Sequence, residues 1–219
     1  ININAEGDID NMTADNGRYA SRRDTTVNGE RLIILTPHGA IPTLEVGNSL
    51  VADTTVILAA QAADIRRDNG EIAGTYVLKG ELISKGEAKA GYCSIVNGVI
   101  NIGVADATPM LEQVLMSDGY FFRQYPLVAA SQLIENKPPG KARRRALAEI
   151  DGTMSVVTSA DGLTFHDFSQ ALIDAGVRNA IYLVGARSTA FYNNQDGRRH
   201  FIGPVDENAP ENINYIVWR

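Results

Sequence analysis

With 219 residues, 44% hydrophobic and 21% charged, the chain can bury a large core and is too apolar for an intrinsically disordered segment. A formal net charge of −6 argues against general nucleic-acid binding, which needs a basic face to release counterions. No apolar run approaches the roughly 20 residues of a membrane-crossing helix, and a single cysteine, Cys93, excludes an internal disulfide.

Residues 1–30 are polar and rich in Asp, Asn and Thr. They are expected to form a loosely held segment, with an outer hairpin at Asn28-Gly29, ahead of one domain over 31–219. A start at Ile1 rather than methionine fits a mature or trimmed product, whose leader would lie outside this sequence. Asn11-Met12-Thr13 matches the glycosylation sequon, a triplet common by chance.

From Leu32 the chain turns apolar, and turn signals recur at Asn69-Gly70, Lys79-Gly80, Asn97-Gly98, Asp151-Gly152 and Asp196-Gly197. Such pairs favour two-residue hairpins, because both turn residues must accept positive φ. At Asn97-Gly98 the register follows directly. Val96 pairs with Val99, Ile95 with Ile100, Ser94 with Asn101 and Cys93 with Ile102. Alternation then puts Cys93, Ile95, Ile100 and Ile102 on one apolar face. At Asp151-Gly152 the same logic pairs Leu147 with Val156 and Ala146 with Val157.

Two helices are predicted. Thr108-Pro109 reads as a cap and first turn, followed by a stripe of Leu111, Val114 and Leu115, and Ser117-Asp118-Gly119 ends it. Thr164 caps the second, Leu163 staples against Phe168, and Phe168, Ala171, Leu172 and Ala175 share a face before Gly176 stops it. Asn179–Val184 then reads as a buried strand. The fold class is α+β: a large mixed, mostly antiparallel sheet built from hairpins, with two packed helices.

Chemistry is less explicit. There is no HExxH, CxxC pair, GxSxG or phosphate loop, so neither a metal cage nor a cofactor is expected. The run Lys141, Arg143, Arg144, Arg145 reads ordinarily as a solvated loop mouth. The hairpin register sends Arg144 and Arg145 to opposite faces, so at most one reaches a shared pocket, where its fork would suit phosphate or carboxylate. The other is read as a surface residue. In the strand GYFFRQYPLV, Arg123 and Gln124 interrupt apolar residues and face either a ligand or solvent. Tyr120 and Tyr125 suit either sugar stacking or core packing. His166-Asp167 opens a helix, where Asp167 serves the cap, and His38 and His200 stand alone.

In order and spacing, GYFFRQYPLV, RRALAEIDG and FHDFSQALIDAGVRNAIYLVGARSTAFY resemble the catalytic half of the phosphodiester glycosidase family, over roughly residues 55–203. That family includes an enzyme that removes N-acetylglucosamine from a sugar phosphodiester. The resemblance makes Arg144 the family's arginine, with Arg145 in place of the usual threonine. Where most members read Leu-Asp-Gly-Gly then Ser, this chain has Leu183-Val184-Gly185-Ala186-Arg187-Ser188. The acid has become Val184, as in a subgroup lacking the Asp-Gly-Gly motif. An upstream Asn-Gly-Gly stretch is replaced by Ala59–Ile65, where Asp64 is either a replacement acid or a cap for the turn at Arg66-Arg67-Asp68.

Two functions follow from the resemblance. One is a hydrolase of a sugar-linked phosphodiester or related glycoside, with Asp64 and Arg144 catalytic and Arg123, Gln124, Gly185, Arg187 and Ser188 binding substrate. The other is a carbohydrate- or anionic-glycan-binding module on the same scaffold. The ligand is a carbohydrate or sugar phosphate in both. The resemblance also implies an extracytoplasmic setting, periplasmic or secreted, with a lipid anchor before trimming as one form.

Overall fold

Two-residue turns organise this computed structural model, which describes residues 17–47, 50–86, 89–204 and 213–219. Strands β1 (Tyr19–Val27) and β2 (Glu30–His38) close on Asn28-Gly29, and β3 (Pro42–Val46) and β4 (Leu58–Gln61) follow. Strands β5 (Tyr76–Leu78) and β6 (Glu81–Ser84) turn at Lys79-Gly80, and β7 (Gly91–Val96) and β8 (Val99–Val104) at Asn97-Gly98. Helix α1 (Pro109–Met116) leads to β9 (Tyr120–Gln124), β10 (Pro126–Ala129) and β11 (Gln132–Leu133). Strands β12 (Ala142–Ile150) and β13 (Thr153–Leu163) flank Asp151-Gly152 and precede helix α2 (Phe165–Asp174). The chain continues with β14 (Val177–Leu183), β15 (Ala190–Asn193), β16 (Arg199–Ile202) and β17 (Asn214–Trp218).

Asn28, Lys79, Asn97 and Asp151 all adopt positive φ, as does the glycine after each. That conformation matches the twist of the flanking strands. The registers at Asn97-Gly98 and Asp151-Gly152 are those expected from the turns, from Val96–Val99 to Cys93–Ile102 and through Leu147–Val156 and Ala146–Val157. Thr164 caps α2 through the Asp167 amide at 3.0 Å, and Thr108 caps α1 through that of Met110 at 3.2 Å. Gly176 stops α2 at φ +96°.

The α+β class with two packed helices and antiparallel hairpins is as expected. The strands, however, divide among three sheets: β1-β2-β13-β12-β14-β10-β11, β16-β15-β4-β17-β3 and β6-β5-β9-β7-β8. On the seven-stranded sheet Ala146, Val157, Ala180 and Tyr182 face α2 and meet Phe165, Phe168 and Leu172. Leu147, Val156, Ile181 and Leu183 face the other way. They join Leu58, Ala60 and Ile216 of the second sheet and Cys93, Ile95 and Phe122 of the third in one core. Helix α1 packs on the outer face of the third sheet through Val114 against Val77 and Phe121.

The expectation of a loose start fails for residues 19–30. Strand β1 pairs along its whole length with β2, and Ala20 is buried. Its polar side chains point outward on a sheet edge, so backbone hydrogen bonds hold a segment whose composition predicts little burial. Residues 1–16, and with them Asn11-Met12-Thr13, lie outside the described residues.

Candidate active site

Strand ends from the first and second sheets meet at one place. The Val184 amide, just past β14, donates to the Gln61 carbonyl at the end of β4 (3.2 Å), and the Ala186 amide donates to Arg143 on β12 (2.6 Å). A Cβ on Gly185 would stand 2.5 Å from the Arg143 carbonyl oxygen and 2.8 Å from the Tyr182 hydroxyl. Only a glycine permits this approach of the strand tip.

Asp64 lies three residues beyond β4, on a segment fixed by Asn214. The Asn214 side chain accepts from the Ala63 amide (2.7 Å) and donates to its carbonyl (3.0 Å). The Asp64 carboxylate does not cap the following turn. One oxygen pairs with the Lys89 ammonium and the other accepts from Gln124 Nε2 at 3.0 Å, leaving the side chain 37% exposed. The Lys89 nitrogen also sits 4.5 Å from the centre of the Tyr125 ring. Tyr125, Phe165 and Tyr182 form an aromatic triangle, with ring centres 4.9 to 6.3 Å apart. Arg144 closes the array, its guanidinium 4.1 Å from the Phe165 ring centre and Nη1 3.5 Å from the Tyr182 hydroxyl.

Burial first, and then the nearby Asp64 charge, raise both Tyr125 and Tyr182 above the usual phenol value, while Arg144 opposes the rise at Tyr182. Both phenols therefore stay protonated at neutral pH and can donate. Asp64, the acceptor in the pair with Lys89, lies near enough to act on both phenols.

Not every expected residue joins this cluster. Gln124 is fully buried and serves Asp64, with Nε2 also 3.3 Å from the Ala62 carbonyl and Oε1 accepting from the Tyr125 amide (3.0 Å). Arg123 points to the opposite side of β9. Its guanidinium donates to the carbonyls of Ala90, Ala105 and Asp106 at 3.3, 2.6 and 2.8 Å, and burial lowers its pKa. Arg144 is only 7% exposed, and two of its nitrogens donate to the carbonyls of Leu163 and Gly140, each at 2.9 Å. Arg187 is exposed on the loop after the strand tip. Ser188 is buried, and its hydroxyl donates to the Val184 carbonyl.

Arg145 is not a surface residue. It is 1% exposed and lies on the face opposite Arg144, inside the core. Its donors reach Thr158 Oγ1 (3.0 Å), Ser188 Oγ (2.6 Å) and the Ile202 carbonyl (3.0 Å). Burial, then the charge of Arg143, push its pKa down to about 10. Arg199, which the sequence did not single out, is buried likewise. It donates to Asn193 Oδ1 (2.7 Å) and the carbonyls of Val51 (2.6 Å), Asp53 (2.9 Å) and Val56. Backbone carbonyls take the place of carboxylates around both cations.

A phosphodiester glycosidase family model matches residues 16–214. The chain belongs to that family. Among solved structures its fold is similar to the catalytic domain of zebrafish N-acetylglucosamine-1-phosphodiester alpha-N-acetylglucosaminidase, auto-inhibited by pro-peptide. The TM-score is 0.64 at 12% identity, over 91% of this chain and 81% of that one. A hypothetical protein from Synechocystis gives a TM-score of 0.57, also at 12% identity, over 92% of this chain and 62% of the other. At such identity these likenesses concern the fold alone. No curated protein matches this chain by sequence. In this chain the half-buried Val184 stands at the strand tip, its amide 3.2 Å from the Gln61 carbonyl on the segment that leads to Asp64. Lys89 and Tyr182 lack a motif of their own, and only the meeting of distant elements places them here. Among the described residues no three His, Cys, Asp or Glu side chains group as a metal cage, and no helix is long and apolar enough to cross a membrane.

Proposed function

We propose that this protein hydrolyses a sugar-linked phosphodiester or related glycoside, with Asp64 as the reacting carboxylate. The observation that carries the reading is the convergence of Asp64, Tyr125, Tyr182 and Arg144 where the ends of β4 and β14 meet. Lys89 and Gln124 hold Asp64 at fixed orientation, as a general base or nucleophile requires. The protonated Tyr182 hydroxyl, with Arg144 behind it, is suited to donate to an anionic oxygen on which charge develops. Water adds across the glycosidic bond. The sugar keeps the hydroxyl and the phosphate departs with its bridging oxygen. Arg187, exposed on the strand-tip loop, is available to a phosphate approaching from solvent. Arg123 and Ser188 serve the scaffold in this reading, and Gln124 positions Asp64 instead of touching sugar. An extracytoplasmic setting goes with the proposal.

A binding module is the second reading. Val184 cannot act as acid, base or ligand, and Arg144 already spends two donors on carbonyls. The two separate in one experiment, in which the protein is incubated with sugar-1-phosphodiesters and chromogenic glycosides while thermal shift is recorded with each. Turnover that disappears in Asp64→Asn supports the hydrolase. Saturable stabilisation without turnover supports the binder and removes the hydrolase.

A further inference from the structure

A concavity shares Lys89 with the Asp64 cluster. Its volume is about 850 Å³, within the roughly 300–1,000 Å³ usual for small-molecule sites. Leu82, Leu111 and Leu115 supply apolar wall, and Lys85 and Lys89 line the same cleft. Leu115 is 37% exposed, a leucine at the surface of a cleft rather than in the core. Lys85 is exposed and has no hydrogen bond or ion pair among the described residues.

Lys89 joins the two places. Lys89 lines the cleft, and its ammonium pairs with Asp64 and lies over Tyr125. A ligand in the cleft therefore touches the side chain that pairs with the reacting carboxylate. Arg123 also borders the cleft, but its donors are engaged on carbonyls. Asp106 and Glu112 lie on the α1 side, so an anion is favoured at the Lys85–Lys89 end. A wholly polar sugar diester would leave the leucines wet, whereas a hydrocarbon would cover them.

We infer that this cleft holds the non-sugar side of the substrate, and that this side is an amphiphile. Its phosphate faces Lys85 and Lys89, and its apolar alcohol covers Leu82, Leu111 and Leu115. The inference rests on Asp64 as the reacting group and names the substrate class as glycosyl phosphodiesters of hydrocarbon alcohols. A second polar sugar is the alternative it excludes.

Octyl phosphate, a fragment of that side, tests it by calorimetric titration below its micelle concentration. It should bind the intact protein at least about tenfold more tightly than either inorganic phosphate or 1-octanol. Leu115→Asp and Lys85→Glu should each weaken it about fivefold or more, with melting temperature recorded to show that both still fold. Asp64→Asn should keep or tighten binding, since it frees Lys89. Absent turnover with octyl phosphate binding intact removes the hydrolase and leaves the cleft. Equal binding of octyl phosphate and inorganic phosphate, binding of 1-octanol as tight as octyl phosphate, no binding at all, or indifference to Leu115→Asp in a folded variant would each overturn the inference.

Discussion

Arg145→Met is the sharpest test of how the strand tip is held. The guanidinium is fully enclosed and ties β12 to β13 through Thr158, to the loop after β14 through Ser188, and to β16 through Ile202. Methionine fills similar length but leaves the Ile202 carbonyl and the two hydroxyls short of donors. Hydrogen bonds to a charged group contribute about 1.5–3 kcal/mol each, partly offset by the cost of burying the cation. Leaving these three buried acceptors without their donor costs about 1–3 kcal/mol each, less the burial penalty relieved with the cation, so a net loss of about 3–5 kcal/mol is expected. For a chain of this size each kcal/mol lowers the melting temperature by about 2–4 °C, so a fall of about 6–20 °C is expected. Trp218, buried in the second sheet, reports unfolding by fluorescence. Arg145→Lys keeps the charge but not the planar fork and should recover less than half of the loss. A loss below about 1 kcal/mol in Arg145→Met would refute the reasoning, because a buried anchor cannot be that dispensable.

Three further outcomes are expected. Gly185→Ala forces a Cβ to within 2.5 Å of the Arg143 carbonyl oxygen, which should cost about 1–3 kcal/mol and at least about tenfold in turnover through displacement of the strand tip; an unchanged melting curve would contradict it. Tyr182→Phe removes one hydroxyl whose bond to Arg144 is 3.5 Å long, so kcat should fall about tenfold or more while stability changes by less than about 1 kcal/mol, and an unaltered kcat would dismiss the donor role. Burial raises the Asp53 carboxyl, but hydrogen bonds from Arg219 and Thr55 outweigh it and hold the pKa at about 2. A folded value below the unfolded one stabilises fully above about pH 4 and is lost as pH falls toward 2. The side chain is 34% exposed, so the effect is on the order of 1 kcal/mol. Urea midpoints at low and neutral pH should differ less in Asp53→Asn than in the parent, and equal differences would count against the pair.

Local rules carried much of the fold. A two-residue turn leaves one register open, so the pairings around Asn97-Gly98 and Asp151-Gly152 could be written before any coordinates, as could the cap at Thr164. The division into three sheets could not, because alternation tells which face of a strand is buried but not which neighbour it joins. The same register sent Arg144 and Arg145 to opposite faces, yet not which face was solvent. Both proved enclosed, one by aromatic rings and carbonyls, the other by a loop and a strand 43 and 57 residues further along the chain. Tyr182 became legible only with the β12–β14 pairing, where it sits opposite Ala146 and so on the face of Arg144. Lys89 lies in a loop with no periodicity, and nothing short of the tertiary contact links it to Asp64.

The claim that Asp64 carries the reaction is tested most directly by steady-state kinetics of the parent and Asp64→Asn on a sugar-1-phosphodiester, with Asp53→Asn as a carboxylate control away from the cluster. Asp64→Asn should lower kcat by about 100-fold or more, with KM and melting temperature little changed, while Asp53→Asn turns over normally. Parent-like turnover by a folded Asp64→Asn would contradict the account.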